Sequence, residues 1–130
     1  MTENSILIFI VEDNLMIREM LTFDLEAAGF TVGVMSSGDE AKERLSEKCA
    51  TYRALLTDIN LEDDVTGWEV ARHARRINPE LPVIYMTGNR ENEWAVNGVP
   101  NSIMINKPFV SAQIIAAIAQ LLNSGNTPGA

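Results

Sequence analysis

Four apolar segments of this sequence end on or beside polar residues that could do chemistry together: Glu12 with Asp13, then Asp58, Thr87 and Lys107. Three carboxylates held close together repel one another, and a hard divalent cation such as Mg²⁺ neutralises them through oxygen ligands. One carboxylate can then attack a phosphoryl group, while an ammonium and a hydroxyl bind the other phosphoryl oxygens. These residue types indicate phosphoryl chemistry at a metal site, provided that the fold brings the four segments together.

The pattern of apolar segments predicts elements that would do so. Residues 6–11 and 54–57 are short, continuous apolar runs, as in strands buried on both faces of a parallel sheet. Three further runs alternate with about five segments of helical period, which predicts an α/β fold with right-handed crossovers. The expected architecture is a doubly wound five-stranded parallel sheet, flavodoxin-like with strand order 2-1-3-4-5 and helices on both faces. The carboxyl ends of its strands share one edge, where the polar residues would converge.

Local signals predict where helices begin and where one is weak. Asn14 is placed to cap a helix after the acid pair. Ser37 and Thr66 each precede a glutamate by three residues, which is the spacing of a capping box. Late in the chain the helical period is broken at Gly98 and Pro100, so we expect the fourth helix to be short or irregular.

Composition and charge exclude several classes of protein. The chain has 130 residues, of which 46% are hydrophobic and 22% charged, and this fits one globular domain without structural metal. Its net charge of −8 opposes binding to nucleic acid and to anionic membranes. Cys49 is the single cysteine, so no internal disulfide can form. The sequence has neither the basic start of a signal peptide nor a membrane-spanning run, and we expect a cytoplasmic protein.

Together these motifs resemble the receiver domain of bacterial response regulators in two-component signalling, including the stand-alone chemotaxis regulator. The resemblance covers residues 5–122, and we expect residues 1–123 to form the domain and residues 124–130 a flexible tail. Within 130 residues no output domain fits, and the natural-looking start and short tail favour a complete protein. The matching motifs are Glu12-Asp13, Asp58 followed by Asn60 and Gly67, Thr87-Gly88, and Lys107-Pro108-Phe109.

The resemblance implies how the acids would act. Asp58 would accept a phosphoryl group from the phosphohistidine of a histidine kinase or a histidine phosphotransfer protein. Asp13, Asp58 and the carbonyl of Asn60 would hold Mg²⁺, with Glu12 acting through water. Phosphorylation would change which partner is bound, or the domain would serve as a phosphate sink. Apart from its own phosphorylation and dephosphorylation the protein would not be an enzyme, and we expect a monomer or weak dimer.

The resemblance also assigns roles to residues outside the acid group. Thr87 and Lys107 would bind the phosphoryl group, and the peptide bond between Lys107 and Pro108 would be cis. Asn60 and Asn89 occupy positions that tune self-dephosphorylation in the family.

One departure from the family pattern bears on activation. Met104 stands three residues before Lys107, where the family often has a tyrosine or phenylalanine that swings inward on activation. An aromatic rotamer switch at this position is therefore absent. A methionine is flexible enough to follow Thr87 inward, so coupling could survive in an altered form.

Two other functions compete with the signalling switch, and one group of residues has a simpler interpretation. A phosphatase of the haloacid dehalogenase type also uses an aspartate nucleophile, but it needs a second acid where this chain has Asn60. A degenerate receiver could act as a phosphorylation-independent scaffold, although such domains usually lose the acids or the lysine. His73, beside Arg72 and Arg75 on a predicted helix, is interpreted as part of a solvated helix face and not as a phosphotransfer histidine.

Overall fold

A sheet of five parallel strands forms the centre of the structure, a computed structural model that describes residues 6–88 and 93–125. The strands are β1 Leu7–Val11, β2 Thr31–Met35, β3 Ala54–Asp58, β4 Val83–Thr87 and β5 Ser102–Asn106. They lie in the order β2-β1-β3-β4-β5, and all pairs are parallel. The predicted doubly wound, flavodoxin-like sheet is confirmed. Every residue of β3 and β4 is buried, which explains their continuous apolar character.

Helices connect and cover the strands, and their bounds are α1 Leu15–Ala27, α2 Gly38–Lys48, α3 Gly67–Ile77, α4 Trp94–Asn97 and α5 Ser111–Gly125. In the described residues α4 is a single turn, which confirms that the fourth helix is short. Helix α5 extends two residues past the predicted domain end at residue 123, and residues 126–130 lie outside the described part. Among the described residues, no helix is long and apolar enough to span a membrane.

The predicted caps of α1 and α3 are present. Asn14 Oδ1 accepts a hydrogen bond from the backbone N–H of Ile17 (3.0 Å). Thr66 Oγ1 accepts one from Glu69 N–H (3.3 Å), and Glu69 Oε2 accepts one from Thr66 N–H (3.5 Å). Both halves of the α3 capping box are therefore formed, and they satisfy backbone donors that the helix itself leaves without acceptors.

The start of α2 is capped from two directions. Ser37 Oγ accepts from Glu40 N–H (3.2 Å), which is one of the two bonds of the predicted capping box. The carboxylate of Asp63, in the loop after β3, accepts from the N–H groups of Gly38 (3.2 Å) and Asp39 (2.9 Å). The loop that follows Asp58 along the chain is thereby bonded to the first turn of α2.

The sheet separates two apolar cores because successive side chains of a strand point to opposite faces. Phe9 of β1 faces the core covered by α2 and α3, where Leu45 and Val70 are fully buried. Ile10 faces the core covered by α1 and α5, where Leu21 and Ile118 are fully buried. Each such side chain stabilises the fold by roughly 1.5–3 kcal/mol. We refer to these sides as the α2–α3 layer and the α1–α5 layer.

Candidate functional site

Three carboxylates meet at the carboxyl edge of the sheet. Glu12 and Asp13 follow β1, and Asp58 is the last residue of β3, the neighbouring strand. One oxygen of each carboxylate lies within 4.8 Å of the others. Glu12 is fully buried and Asp58 is only 5% exposed. Because little water surrounds these two groups, their mutual repulsion is weakly screened.

Lys107 reaches the same cluster from the end of β5. Its Nζ lies 3.3 Å from Glu12 Oε1 and 3.2 Å from Asp58 Oδ2, so one ammonium bridges two buried carboxylates. Its backbone N–H donates to the carbonyl of Thr87 (2.7 Å), which joins the ends of β4 and β5. The peptide bond between Lys107 and Pro108 is cis, as predicted.

The pKa values of these groups are shifted in the direction expected for a crowded acidic site. Burial, together with the charge of Asp58, raises the pKa of Glu12 to about 7, although Asn14 N–H and Lys107 act in the opposite direction. Burial also raises the pKa of Asp58, while Lys107 lowers it. Burial disfavours the charged form of Lys107, but the two carboxylates outweigh that effect and its pKa is raised. The single ammonium of Lys107 therefore does not fully offset the burial and mutual repulsion of the carboxylates.

Hydrogen bonds to the backbone at or beside Asp58 and Glu12 hold the segments that carry these two buried acids. The N–H of Gly67, the first residue of α3, donates to the carbonyl of Ile59 (2.9 Å). A Cβ atom at Gly67 would overlap the carbonyl oxygen of Asp58, so a side chain does not fit at the start of α3. On the other side, Arg18 Nη1 donates to the carbonyl of Glu12 (2.9 Å). The close approach of α3 to β3 therefore requires a glycine at position 67.

The other predicted site residues lie around this cluster. Thr87 is buried at the end of β4, and Asn60 is exposed in the loop after β3. Asn89 lies outside the described residues. Met104 of β5 is half-buried against the core of the α2–α3 layer and is paired across the strands with Tyr85 of β4.

Sequence reasoning missed a set of contacts made by α3. Arg72 is exposed, as a solvated face requires, but Arg75 is half-buried. Arg75 Nε donates to the carbonyl of Leu81 and its Nη1 to that of Pro100, both at 2.6 Å. The prediction of a solvated face is therefore wrong for Arg75. No residue pattern indicates these bonds, because their acceptors are backbone carbonyls that every residue possesses.

A family model described as the response regulator receiver domain matches residues 8–119. The chain belongs to this family. A response regulator receiver protein from Sinorhizobium medicae WSM419 has a similar crystal structure, with a TM-score of 0.91 and 40% identity over 95% of this chain and 99% of the other. The cluster of carboxylates and Lys107 therefore lies at the carboxyl edge of a receiver domain.

Two further relatives bear on the domain's context. The phosphate regulon transcriptional regulatory protein PhoB of Rhizobium meliloti is 33% identical over 88% of this chain and 51% of PhoB. This chain spans about half the length of the first curated relatives it matches. The receiver domain of the sensor histidine kinase PA1611 from Pseudomonas aeruginosa PAO1 shares the fold, with 22% identity and a TM-score of 0.79. Its crystal structure has a magnesium ion coordinated in the active site cleft.

Proposed function

We propose that this receiver domain is a phosphorylation-activated switch in which Asp58 accepts a phosphoryl group from the phosphohistidine of a histidine kinase or histidine phosphotransfer protein. A carboxylate oxygen of Asp58 would bond to phosphorus as the bond between phosphorus and the imidazole nitrogen breaks. The imidazole nitrogen keeps the electron pair of that bond, and an aspartyl phosphate forms. The observation that carries the proposal is the contact of the Asp58 carboxylate with Lys107 beside two further acids.

The donor atoms of the cluster suit a hard divalent cation. Oxygens of three carboxylates within 4.8 Å of one another match the ligand preference of Mg²⁺, and nitrogen or sulfur ligands are not needed. Asp13, Asp58 and the carbonyl of Asn60 would hold the ion, with Glu12 acting through water. When bound, Mg²⁺ would neutralise the acids and the incoming phosphoryl oxygens. The magnesium ion in the active site cleft of the PA1611 receiver domain, which shares the fold, supports magnesium as the cation.

Lys107 and Thr87 have separate tasks in this proposal. The ammonium that contacts Asp58 Oδ2 would turn to a phosphoryl oxygen and stabilise its charge. The hydroxyl of Thr87 would bind a second phosphoryl oxygen. Since the backbone of Lys107 is bonded to that of Thr87 (2.7 Å), the two residues would respond together.

The phosphodonor would approach over the outer side of α1. This helix begins two residues after Asp13, and its large apolar side chains are exposed: Met16 by 80%, Phe23 by 73% and Leu15 by 56%. An apolar surface next to an acidic site suits a protein donor better than a free phosphate ester.

The net charge of −8 opposes nucleic acid and anionic membranes as partners. We therefore propose a protein as the recipient of the signal, in the cytoplasm where such kinases act.

The test is intact mass spectrometry after incubation with Mg²⁺ and acetyl phosphate. We expect one phosphoryl adduct on the wild type and none on Asp58→Asn or after chelation of the metal. An adduct that persists on Asp58→Asn would refute the site. If the wild type neither forms an adduct nor binds beryllofluoride with Mg²⁺, the domain is a phosphorylation-independent scaffold.

A further inference from the structure

Residues 94–102, which we call the α4 segment, are bonded to helix α3 by two arginines. Arg72 Nη2 donates both to the carbonyl of Asn97 (3.1 Å) and to its side-chain Oδ1 (3.2 Å). Arg75 Nη1 donates to the carbonyl of Pro100 (2.6 Å). The carbonyl of Asn101, whose φ of 60° is left-handed, lies 3.4 Å from Arg75 Nη2. Helix α3 thus bonds to the segment at three residues: Asn97, Pro100 and Asn101.

The sheet and the segment itself complete this attachment. The hydroxyl of Tyr85 on β4 accepts from the N–H of Val99 (3.0 Å). Trp94 Nε1 donates to Ser102 Oγ (2.9 Å), and Ser102 Oγ donates to the carbonyl of Val99 (2.7 Å). The Trp94 indole covers Gly98 so closely that a Cβ atom there would overlap it. The position of Trp94 therefore reports the position of the whole segment.

The opposite end of α3 lies against the candidate phosphoacceptor. Gly67 touches the carbonyl of Asp58, and Trp68 packs against Tyr85 with ring centroids 4.7 Å apart. A helix of 11 residues spans about 16 Å and moves as one body. One rigid element therefore contacts Asp58 at its first residue and the α4 segment at its last two turns.

We propose that helix α3 transmits the phosphorylation of Asp58 to the α4 segment and that Arg72 is the positioning residue that couples them. A small shift of α3 at Gly67 would move the guanidinium of Arg72, which donates to the backbone carbonyl and to the side-chain oxygen of Asn97. This coupling takes the place of an aromatic rotamer on β5, where the chain has Met104. The resulting shift of the α4 segment changes a surface that includes Val96, whose side chain is 84% exposed. The inference rests on the proposed phosphorylation of Asp58.

The two tryptophans supply the measurement. The indole nitrogen of Trp68 is buried without a hydrogen-bond partner, whereas that of Trp94 donates to Ser102. Their ¹H–¹⁵N signals can be assigned with Trp94→Phe and followed on addition of Mg²⁺ and beryllofluoride. The variants are Arg72→Gln, Arg72→Lys and, as a matched control, Arg76→Gln. Arg76 is also an exposed arginine of α3 but makes none of the bonds to the α4 segment described above.

In the wild type and in Arg76→Gln we expect both indole signals to shift. In Arg72→Gln the Trp68 signal should still shift, while the Trp94 shift falls to less than half. Arg72→Lys should keep most of the Trp94 shift, because in the wild type a single nitrogen of Arg72 makes both bonds to Asn97. Loss of the Trp94 response is not expected from simple destabilisation, because Arg72 is exposed.

A full Trp94 shift in Arg72→Gln, or an equal loss in Arg76→Gln, would overturn the coupling. Intact mass after acetyl phosphate treatment separates this failure from failure of the proposed function. If Asp58 is phosphorylated but the wild-type Trp94 signal does not move, the coupling is wrong and the phosphoacceptor stands. If the wild type forms no adduct and binds no beryllofluoride, both proposals fall.

Discussion

The two helical layers cover the same sheet but are joined to the rest of the chain by different contacts. In the α1–α5 layer, Ser111 Oγ donates to the Asp24 carboxylate (2.5 Å), and the outer side of α1 leaves Met16 and Phe23 exposed. In the α2–α3 layer, side chains bond to the backbone of neighbouring segments, as Arg75 does to Pro100. The first layer exposes apolar side chains, on the outer side that we propose for the phosphodonor. In the second layer, arginine side chains bond instead to the backbone of a segment 25 residues further along the chain.

The length of α4 explains this difference. A single helical turn is not stable on its own, because nucleation costs more conformational entropy than one hydrogen bond returns. The four residues of α4 therefore depend on bonds supplied by α3 and β4. Where a long helix would hold itself against the sheet by apolar contacts, this segment is held by polar side chains that reach its backbone.

The largest expected effect tests the contact between α3 and β3. We expect Gly67→Ala to lower the free energy of unfolding by about 2–4 kcal/mol, because its Cβ would overlap the Asp58 carbonyl. The matched control is Gly88→Ala, since a Cβ there meets no atom within 4 Å. Urea unfolding of both variants provides the measurement. Equal losses at the two glycines would mean that α3 is not pressed against Asp58.

A smaller effect tests the polar attachment of the α4 segment. Tyr85→Phe leaves the buried N–H of Val99 without its acceptor, and we expect a loss of about 1–3 kcal/mol. Tyr52→Phe removes a hydroxyl from the same core, but the polar group near that hydroxyl is the side chain of Arg44. Tyr52→Phe should lower the free energy of unfolding by less than Tyr85→Phe, because the half-buried Arg44 can turn to water. A loss for Tyr85→Phe no larger than for Tyr52→Phe would contradict this account.

The helix caps should behave alike in the two layers. Thr66→Ala at the start of α3 and Asn14→Ala at the start of α1 each remove one cap, and each should cost about 1 kcal/mol. Chemical denaturation of the two variants measures both values. A difference greater than about 1 kcal/mol would show that the layers differ in their local helix energetics as well as in their long-range contacts.

The smallest effect on stability is expected on the outer side of α1. Phe23→Ala should change the free energy of unfolding by less than about 0.5 kcal/mol, because the ring is mostly exposed. Phosphorylation by acetyl phosphate should be unchanged, whereas transfer from a histidine kinase that phosphorylates the wild type should slow. Equal rates from the kinase for Phe23→Ala and the wild type would remove α1 from the proposed donor surface.

Much of the fold could be predicted because it follows from local patterns. Short apolar runs without polar interruption gave the buried strands, and β3 and β4 are buried at every residue. The capping box at Thr66 and the cap at Asn14 are short-range signals that need no knowledge of tertiary structure. Parallel strands place their carboxyl ends at one edge, so the meeting of Asp58 with Glu12 followed from the fold class.

The contacts that tie the α4 segment to α3 could not be predicted in this way. Arg72 and Arg75 bond to groups 25 residues further along the chain, and most of these acceptors are backbone carbonyls. The bond from Val99 to Tyr85 depends on how a loop turns, which no periodicity encodes. Asp63 is one of several acids in its loop, and only the tertiary structure selects it as the cap of α2.

The Asp63 cap also has a consequence for hydrogen exchange. The first turn of a helix normally loses its amide protons quickly, because its N–H groups lack acceptors within the helix and its end frays. The amides of Gly38 and Asp39 are instead bonded to a carboxylate of the loop after β3. They can exchange only when that loop detaches. The exchange rates of these two amides therefore measure how often the loop next to Asp58 opens.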